Sequence, residues 1–302
     1  MKSVVLKRVY PFFISGIVLW LGACSQKETV TPQQTQQATT TALDNSQIVA
    51  VTKEVLDLTQ SGLASEGLIE VAPEPSDPNA RKSRGCRPMV TSQYTLITRT
   101  ADTLAYSGTL TIDYGDGTIC SDSVQVRKGR ITDLFTVVIV GKPKTGVKPS
   151  ISHQETITFE NFQKDSATIN GTFVKQVTNG VTTVTAQNVK ITYLDGTSVT
   201  WGGTLTYTHD NAGTTQNWTD DTQRISGAIT GTTREGTAYT ATIVKDITYS
   251  VSCLNEDVNG PVSGTIEISS GGTTSVVDYG DGTCDNIYTV TINGVSTEYT
   301  FN

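Results

Sequence analysis

From Cys86 to its end the chain alternates, and that alternation constrains the fold more than any other feature. Leu110, Ile112 and Tyr114 fall on one face of an extended segment, with Thr109, Thr111 and Asp113 on the other. The same phase recurs at Val189, Ile191 and Tyr193 against Lys190 and Thr192, at Leu205 and Tyr207 against Thr204, Thr206 and Thr208, and at Tyr288, Val290 and Ile292 against Thr289 and Thr291. Ile247, Tyr249, Val251 and Cys253 form a further row. A period of two with one apolar face marks antiparallel strands buried on one side and wet on the other, and Thr, Val, Ile and Tyr suit a pleated surface. Asn170-Gly171, Asn179-Gly180, Asp195-Gly196, Gly271-Gly272 and Asn293-Gly294 are tight-hairpin signals. No helical period of useful length follows residue 86. The expected body, residues 86–302, is all-β: roughly a dozen strands in an antiparallel meander, forming a long curled sheet, half-barrel or sandwich.

Upstream the character differs. Residues 24–43 are Gln/Thr-rich, with almost nothing to bury, and read as a disordered tether. Residues 44–85 hold a short helix and a linker. Ile48, Val51, Val55 and Leu58 recur at helical spacing, Asp44 or Ser46 can cap the start, and Gly62 follows the end. Pro73, Pro75 and Pro78 with Arg81-Lys82-Ser83-Arg84 make the linker, whose basic cluster is expected to be a solvated loop.

The first residues read as an address. Lys2, Lys7 and Arg8 precede an apolar run from Val9 to Leu21, shorter than the ~20 residues a spanning helix needs. Leu21-Gly22-Ala23-Cys24 closes the run and resembles the bacterial lipobox, which implies removal of residues 1–23 and acylation of Cys24. A protein so modified is anchored to the membrane by its lipid without crossing it. Ser25 after the cysteine, in place of the aspartate that retains lipoproteins at the inner membrane, points to the outer membrane. Ser25-Gln26-Lys27-Glu28 resembles a surface-export tag of Bacteroidota lipoproteins, interrupted here by Thr29. The body is therefore expected on the periplasmic face or at the cell surface.

The net charge is −7. The 22 basic residues less Lys2, Lys7 and Arg8 leave 19 against 29 acids, a balance of −10 in the processed chain. So acidic a body argues against a nucleic-acid partner. Of five cysteines one is assigned to lipid, leaving Cys86, Cys120, Cys253 and Cys284. In an oxidising compartment disulfides are the default, and four cysteines allow three pairings. An internal echo favours one of them. Asp113-Tyr114-Gly115-Asp116-Gly117-Thr118-Ile119-Cys120 returns as Asp278-Tyr279-Gly280-Asp281-Gly282-Thr283-Cys284, each with a cysteine upstream at nearly equal distance. A repeated three-strand unit with Cys86–Cys120 and Cys253–Cys284 bonds follows most simply; crossed pairings would require the two units to pack face to face.

Arg127-Lys128-Gly129-Arg130-Ile131, Thr156 to Phe162, Ile169-Asn170-Gly171-Thr172, Gly196 to Trp201, Ile225-Ser226-Gly227, Asp278 to Asp285 and Asn293-Gly294 together carry a resemblance, in order and spacing, to a family of uncharacterised secreted lipoproteins of Bacteroidota. Asp281 stands where the family commonly has asparagine, and Ile119 is an extra residue in the first copy of the echo. The resemblance implies location and β architecture and brings no activity.

The residues themselves indicate no chemistry. There is no Gly-x-Ser-x-Gly elbow, and the only histidines, His153 and His209, fall in polar, turn-like contexts that suggest surface loops. Asp113 with Asp116, and Asp278 with Asp281, invite a calcium reading, but the repeating acidic loop and its distal glutamate are missing; aspartates that bond backbone amides in a turn account for them. Glu155 and Glu160 alternate in and out of register with Ile157 and Phe159, and no carboxylate pair for glycoside cleavage stands out. Trp218 and Tyr207 are the aromatic candidates for stacking a sugar ring, whereas Trp201, in phase with Val199, belongs in the core. The expectation is a lipid-anchored, non-enzymatic envelope or surface protein with no cofactor and no metal. The alternative is a glycan- or apolar-ligand-binding lipoprotein. A hydrolase ranks below both.

Overall fold

The computed structural model describes residues 31–69, 88–119, 126–141, 150–164, 167–210, 220–254, 258 and 260–301. The chain is all-β with one long helix. In order come α1 (Pro32–Ser65), β1 (Met89–Arg99), β2 (Thr103–Asp113), β3 (Thr118–Ile119), β4 (Val126–Val140), β5 (Ser150–Lys164), β6 (Ala167–Thr178), β7 (Val181–Tyr193) and β8 (Ser198–Asp210). They are followed by β9 (Thr222–Thr232), β10 (Ala238–Ser250), the helical turn α2 (Val251–Leu254), β11 (Ser263–Ser270), β12 (Thr273–Asp281), β13 (Ile287–Ile292) and β14 (Val295–Thr300). The strands make one antiparallel meander in which each pairs with its neighbours in sequence, except that short β3 pairs only with β4, so that β2 neighbours β4 directly. The sheet does not close: β1 and β14 are its two edges.

The alternation maps onto burial as expected. Leu110, Ile112 and Tyr114, Val189 and Ile191, Leu205 and Tyr207, and Tyr288, Val290 and Ile292 are all buried in one core. The tight turns form at Asn179-Gly180, Gly271-Gly272 and Asn293-Gly294, where both central residues have positive φ, the backbone that a two-residue turn between right-twisted strands requires. Asn170-Gly171 behaves differently. It lies inside β6, at a register shift between Asn170 and Thr172. Gly171 has φ 129°, and a Cβ there would sit 2.6 Å from Val189 Cα; the extra residues are Glu160-Asn161 on β5 and Asn188-Val189 on β7, so the dipeptide faces a bulge on either side and makes no hairpin. Gly227 on β9 repeats the device, with φ 129° and Thr204 O 2.3 Å from where a Cβ would be. Such kinks re-aim strands and curve a sheet. The row Ile247-Tyr249-Val251-Cys253 also breaks, because β10 ends at Ser250 and the chain turns into α2.

Helix α1 begins at Pro32, well before the expected Asp44 or Ser46 cap, so much of the expected tether is helical. The start is locally encoded. Thr31 and Gln34 form a reciprocal capping box with proline at the first helical position. The end is a Gly67 cap, φ 69°, with Leu68 N donating to Leu63 O (3.0 Å) and Gly67 N to Ala64 O (2.9 Å). Gly62, expected after the helix, lies within it, where a Cβ would meet Leu110 Cδ2 at 2.7 Å. The buried stripe includes Thr41, Asn45, Ser46 and Thr52 beside Ile48, Val51, Val55 and Leu63. Their donors are satisfied locally: Thr41, Ser46 and Thr52 hydroxyls and the Asn45 amide nitrogen donate to carbonyls four residues back, while Asn45 Oδ1 has no partner among the described residues. A Thr- and Asn-bearing surface can therefore be buried without orphaning those donors.

The helix shows that the sheet is curled. Lys53 lies over the Tyr249 ring on β10, while the next residue, Glu54, accepts from Arg127 on β4 (2.9 Å) and from Lys164 on β5. In a flat sheet β4 and β10 would lie roughly 30 Å apart, several times the reach of adjacent side chains on a helix ~10 Å wide. The sheet wraps α1, which fills the trough. At the rim Asp44 takes Arg234 (2.6 Å) and the Tyr193 hydroxyl (2.8 Å), with Arg234 stacked on the Tyr193 ring.

Candidate functional site

The inner face of β4, β5 and β6 carries charges where the pattern calls for apolar side chains. On β4, Asp133 sits between Ile131 and Phe135; on β5, His153 and Glu155 precede Ile157 and Phe159; on β6, Lys175 follows Phe173. All share the phase of the core, and register brings them together. Glu155 lies opposite Phe135 on one side and Lys175 on the other, and Ile157, one inward position along, lies opposite Asp133. Lys175 Nζ is 2.9 Å from Glu155 Oε1 and 3.0 Å from Oε2. His153 Nδ1 is 2.5 Å from Oε1. Asp133 and Glu155 have no exposure, and Lys175 only 2 %.

The two carboxyls hold different protonation states. Burial pushes the Asp133 carboxyl up to about 8, with the nearby Glu155 charge acting in the same direction and Lys175 against it. Burial also acts on Glu155, yet Lys175 and then His153 outweigh it and hold its pKa below the ordinary range. Neither Asp133 oxygen completes a hydrogen bond to a described residue. The site is thus a protonated acid beside a carboxylate that is gripped by an amine and an imidazole. This is the charge arrangement of acid–base chemistry, but it faces the closed interior.

Sequence reasoning passed over this cluster. The signal was present: Asp133 shares the parity of Ile131 and Phe135, and Glu155 that of Ile157 and Phe159. The expectation for the histidines is corrected, since His153 lies on β5 facing inward and His209 lies on β8, bonded to Asp221 at 2.9 Å. Tyr207, expected as an exposed aromatic, is 3 % exposed and part of the core. Burial raises its pKa, and its hydroxyl has no partner among the described residues. Trp201 is buried as expected. Trp218, Cys24, Cys86 and Cys120 lie outside the described residues. Cys253 and Cys284 are disulfide-bonded, tying α2 to the segment between β12 and β13.

The two copies of the echoed motif differ: Gly115-Asp116 form a turn after β2, whereas Asp278 to Asp281 are the end of β12. Asp113 accepts from Gly115 N (2.7 Å), and Asp278 from Gly280 N (2.8 Å), while Tyr114 and Tyr279 enter the core. Asp113 also takes Arg130, whose hydrogen bond is the main cause of its lowered pKa. On the outer face a shallow depression of about 520 Å³ is lined by Thr95, Ser107, Thr109, Leu134, Thr136, Gln154 and Thr156, among others. No helix among the described residues is long and apolar enough to cross a membrane. Comparison with family profiles, curated proteins and solved structures finds no match.

Proposed function

We propose that this chain is a lipid-anchored protein of the outer membrane, acylated at Cys24, with a structural or interaction role and no enzymatic activity of its own. The observation that supports it best is the filled trough. The concave interior, where a carrier or hydrolase would hold its ligand, is occupied by α1, with Ala42, Ile48, Val55 and Leu63 against the sheet core. Asp133, Glu155 and Lys175 on the inner face are sealed from solvent. The anchor is read from Leu21-Gly22-Ala23-Cys24. Metabolic labelling with an alkyne fatty acid tests it: label is expected on the wild type and none on Cys24→Ser. An unlabelled wild type, or a mature amino terminus elsewhere than Cys24, refutes the anchor.

The outer depression favours a second reading, a glycan-binding surface. Its hydroxyls and the exposed Leu134 offer hydrogen bonds and a small apolar platform. A glycan array decides: binding that is lost on Thr136→Lys with Gln154→Lys supports it, and no binding leaves the structural role.

A further inference from the structure

We propose that the free edge strand β1 pairs with the β1 of a second copy of this chain, antiparallel about a two-fold axis at Gln93, so that the dimer carries one continuous sheet. β1 is an open edge, and every one of its residues except Ser92 is exposed. From Met89 to Thr98 it has no charge, no proline and no glycine; Arg99 is its only charged residue. Sheet edges that stay unpaired are guarded by lysines, prolines, bulges or short length. β1 has 11 residues, a strand roughly 36 Å long, and its register shift falls towards its end, between Leu96 and Thr98. The opposite edge is guarded, since β14 has six residues with Glu298 among them. Along β1 the side chains of Met89, Val90, Tyr94, Leu96 and Ile97 are 37 % to 65 % exposed. Val90, Ser92, Tyr94 and Leu96 lie opposite Ile112, Leu110, Gly108 and Tyr106 and so continue the inner face of the sheet. Helix α1 stops beside them: Glu66, at its end, accepts from Ser92 Oγ (2.5 Å), and Tyr94 and Leu96 are left about half exposed.

What covers such an edge is an extended segment of the same length and alternation, without charge. β1 is itself that segment. A two-fold at Gln93 sets apolar residues on apolar and polar on polar. On the inner face Val90 meets Leu96 of the second copy, while Ser92 meets Tyr94 of the second copy. On the outer face Thr91 meets Thr95 of the second copy, and Gln93 meets its own counterpart. Symmetry makes each unlike pair twice. Directly opposed pairs of this kind are the unit that stabilises an antiparallel sheet, and no like charges face one another within the run. Moving the axis to Tyr94 sets Leu96 against Ser92 and Met89 against Arg99, so the pattern selects Gln93. Head-to-tail pairing of β1 with β14 covers only about half of β1 and does not close. The pairing gives the interaction role a partner and holds whether or not Cys24 carries a lipid.

Sedimentation of the purified full chain, in detergent matched to the buffer in density, is expected to give the mass of two copies. Val90→Lys with Leu96→Lys opposes like charges twice across the axis and is expected to give one copy with an unchanged circular dichroism spectrum. Mixing that chain with a Val90→Glu, Leu96→Glu chain is expected to restore two copies, which separates lost pairing from a lost fold. Gln93→Cys is expected to cross-link two copies under mild oxidation, because directly opposite residues bring their Cα atoms to about 4.5–5.5 Å. Thr95→Cys, whose counterpart stands roughly 13 Å away along the strand, is expected not to. A wild type of one copy, which leaves the edge to a foreign strand, overturns the proposal. So does a mass that grows past two copies with concentration, the mark of head-to-tail pairing, or a lysine variant that still pairs. Cross-linking of Thr95→Cys as ready as that of Gln93→Cys overturns it too.

Discussion

On β4, β5 and β6 the inner face of the sheet carries Asp133, His153, Glu155 and Lys175; on β8, β10 and β12 the same face carries Tyr207, Tyr249 and Tyr279. Both regions bury polar atoms in one continuous core, but they manage the cost differently. The phenols remain neutral, since burial drives all three pKa values up. Each can then sit beside apolar neighbours at the cost of at most one unmade hydrogen bond, about 1–3 kcal/mol. Tyr279 avoids even that by donating to Ser46 Oγ on α1 (3.1 Å). The ionic region has no such latitude. A lone buried charge costs several kcal/mol, so Glu155 is held by two partners and Asp133 keeps a proton instead. Neutral groups tolerate isolation in this interior, and charged ones must be paired or titrate.

The sharpest way to break the comparison is Lys175→Ala. It leaves Glu155 buried with His153 alone, and urea denaturation is expected to show a loss of about 3–5 kcal/mol; a loss under 1 kcal/mol would mean that the two regions do not differ. Next comes pH. The folded chain keeps on Asp133 a proton that the unfolded chain releases above about pH 4. Stability from this group is therefore full below pH 4, declines as pH rises to about 8, and is level beyond. The slope is about 1.4 kcal/mol per pH unit. Asp133→Asn should abolish it. Urea denaturation across pH 4–8 checks it: a wild type and an Asp133→Asn variant with the same slope would mean that Asp133 does not keep its proton in the fold.

The phenol region should give smaller effects. Tyr279→Phe is expected to cost about 0.5–1.5 kcal/mol through the lost bond to Ser46. Tyr207→Phe should be neutral or stabilising by less than about 1 kcal/mol, since its hydroxyl has no partner among the described residues. A large loss at Tyr207 in thermal unfolding would show that the hydroxyl is in fact used.

Much of this architecture was legible in the residues. The phase of Leu110, Ile112 and Tyr114 against Thr109 and Thr111 announced which side is buried, and Asn179-Gly180 and Asn293-Gly294 announced where the chain reverses. Period and turn chemistry are local properties, set by the pleat and by the few residues that accept positive φ. The early start of α1 was also written locally, in Thr31, Pro32 and Gln34. It was overlooked because the Gln/Thr-rich run that follows has no apolar stripe, and the backbone-directed bonds that make it buriable show only in the folded chain. Asn170-Gly171 misled for a related reason: the same dipeptide serves a turn or a place inside a strand opposite a neighbour's bulge, and the neighbouring strands decide which.

The sequence by itself determined the strands, most of their reversals and the side of each that turns inward, because those depend on neighbours a few residues away. Only the tertiary structure decided that α1 occupies the trough, and that Asp133, Glu155 and Lys175 meet. Their meeting depends on the register of three strands, and register accumulates every loop length and bulge between them. A single-residue slip at Gly171 would carry Lys175 to the outer face and leave Glu155 without its amine.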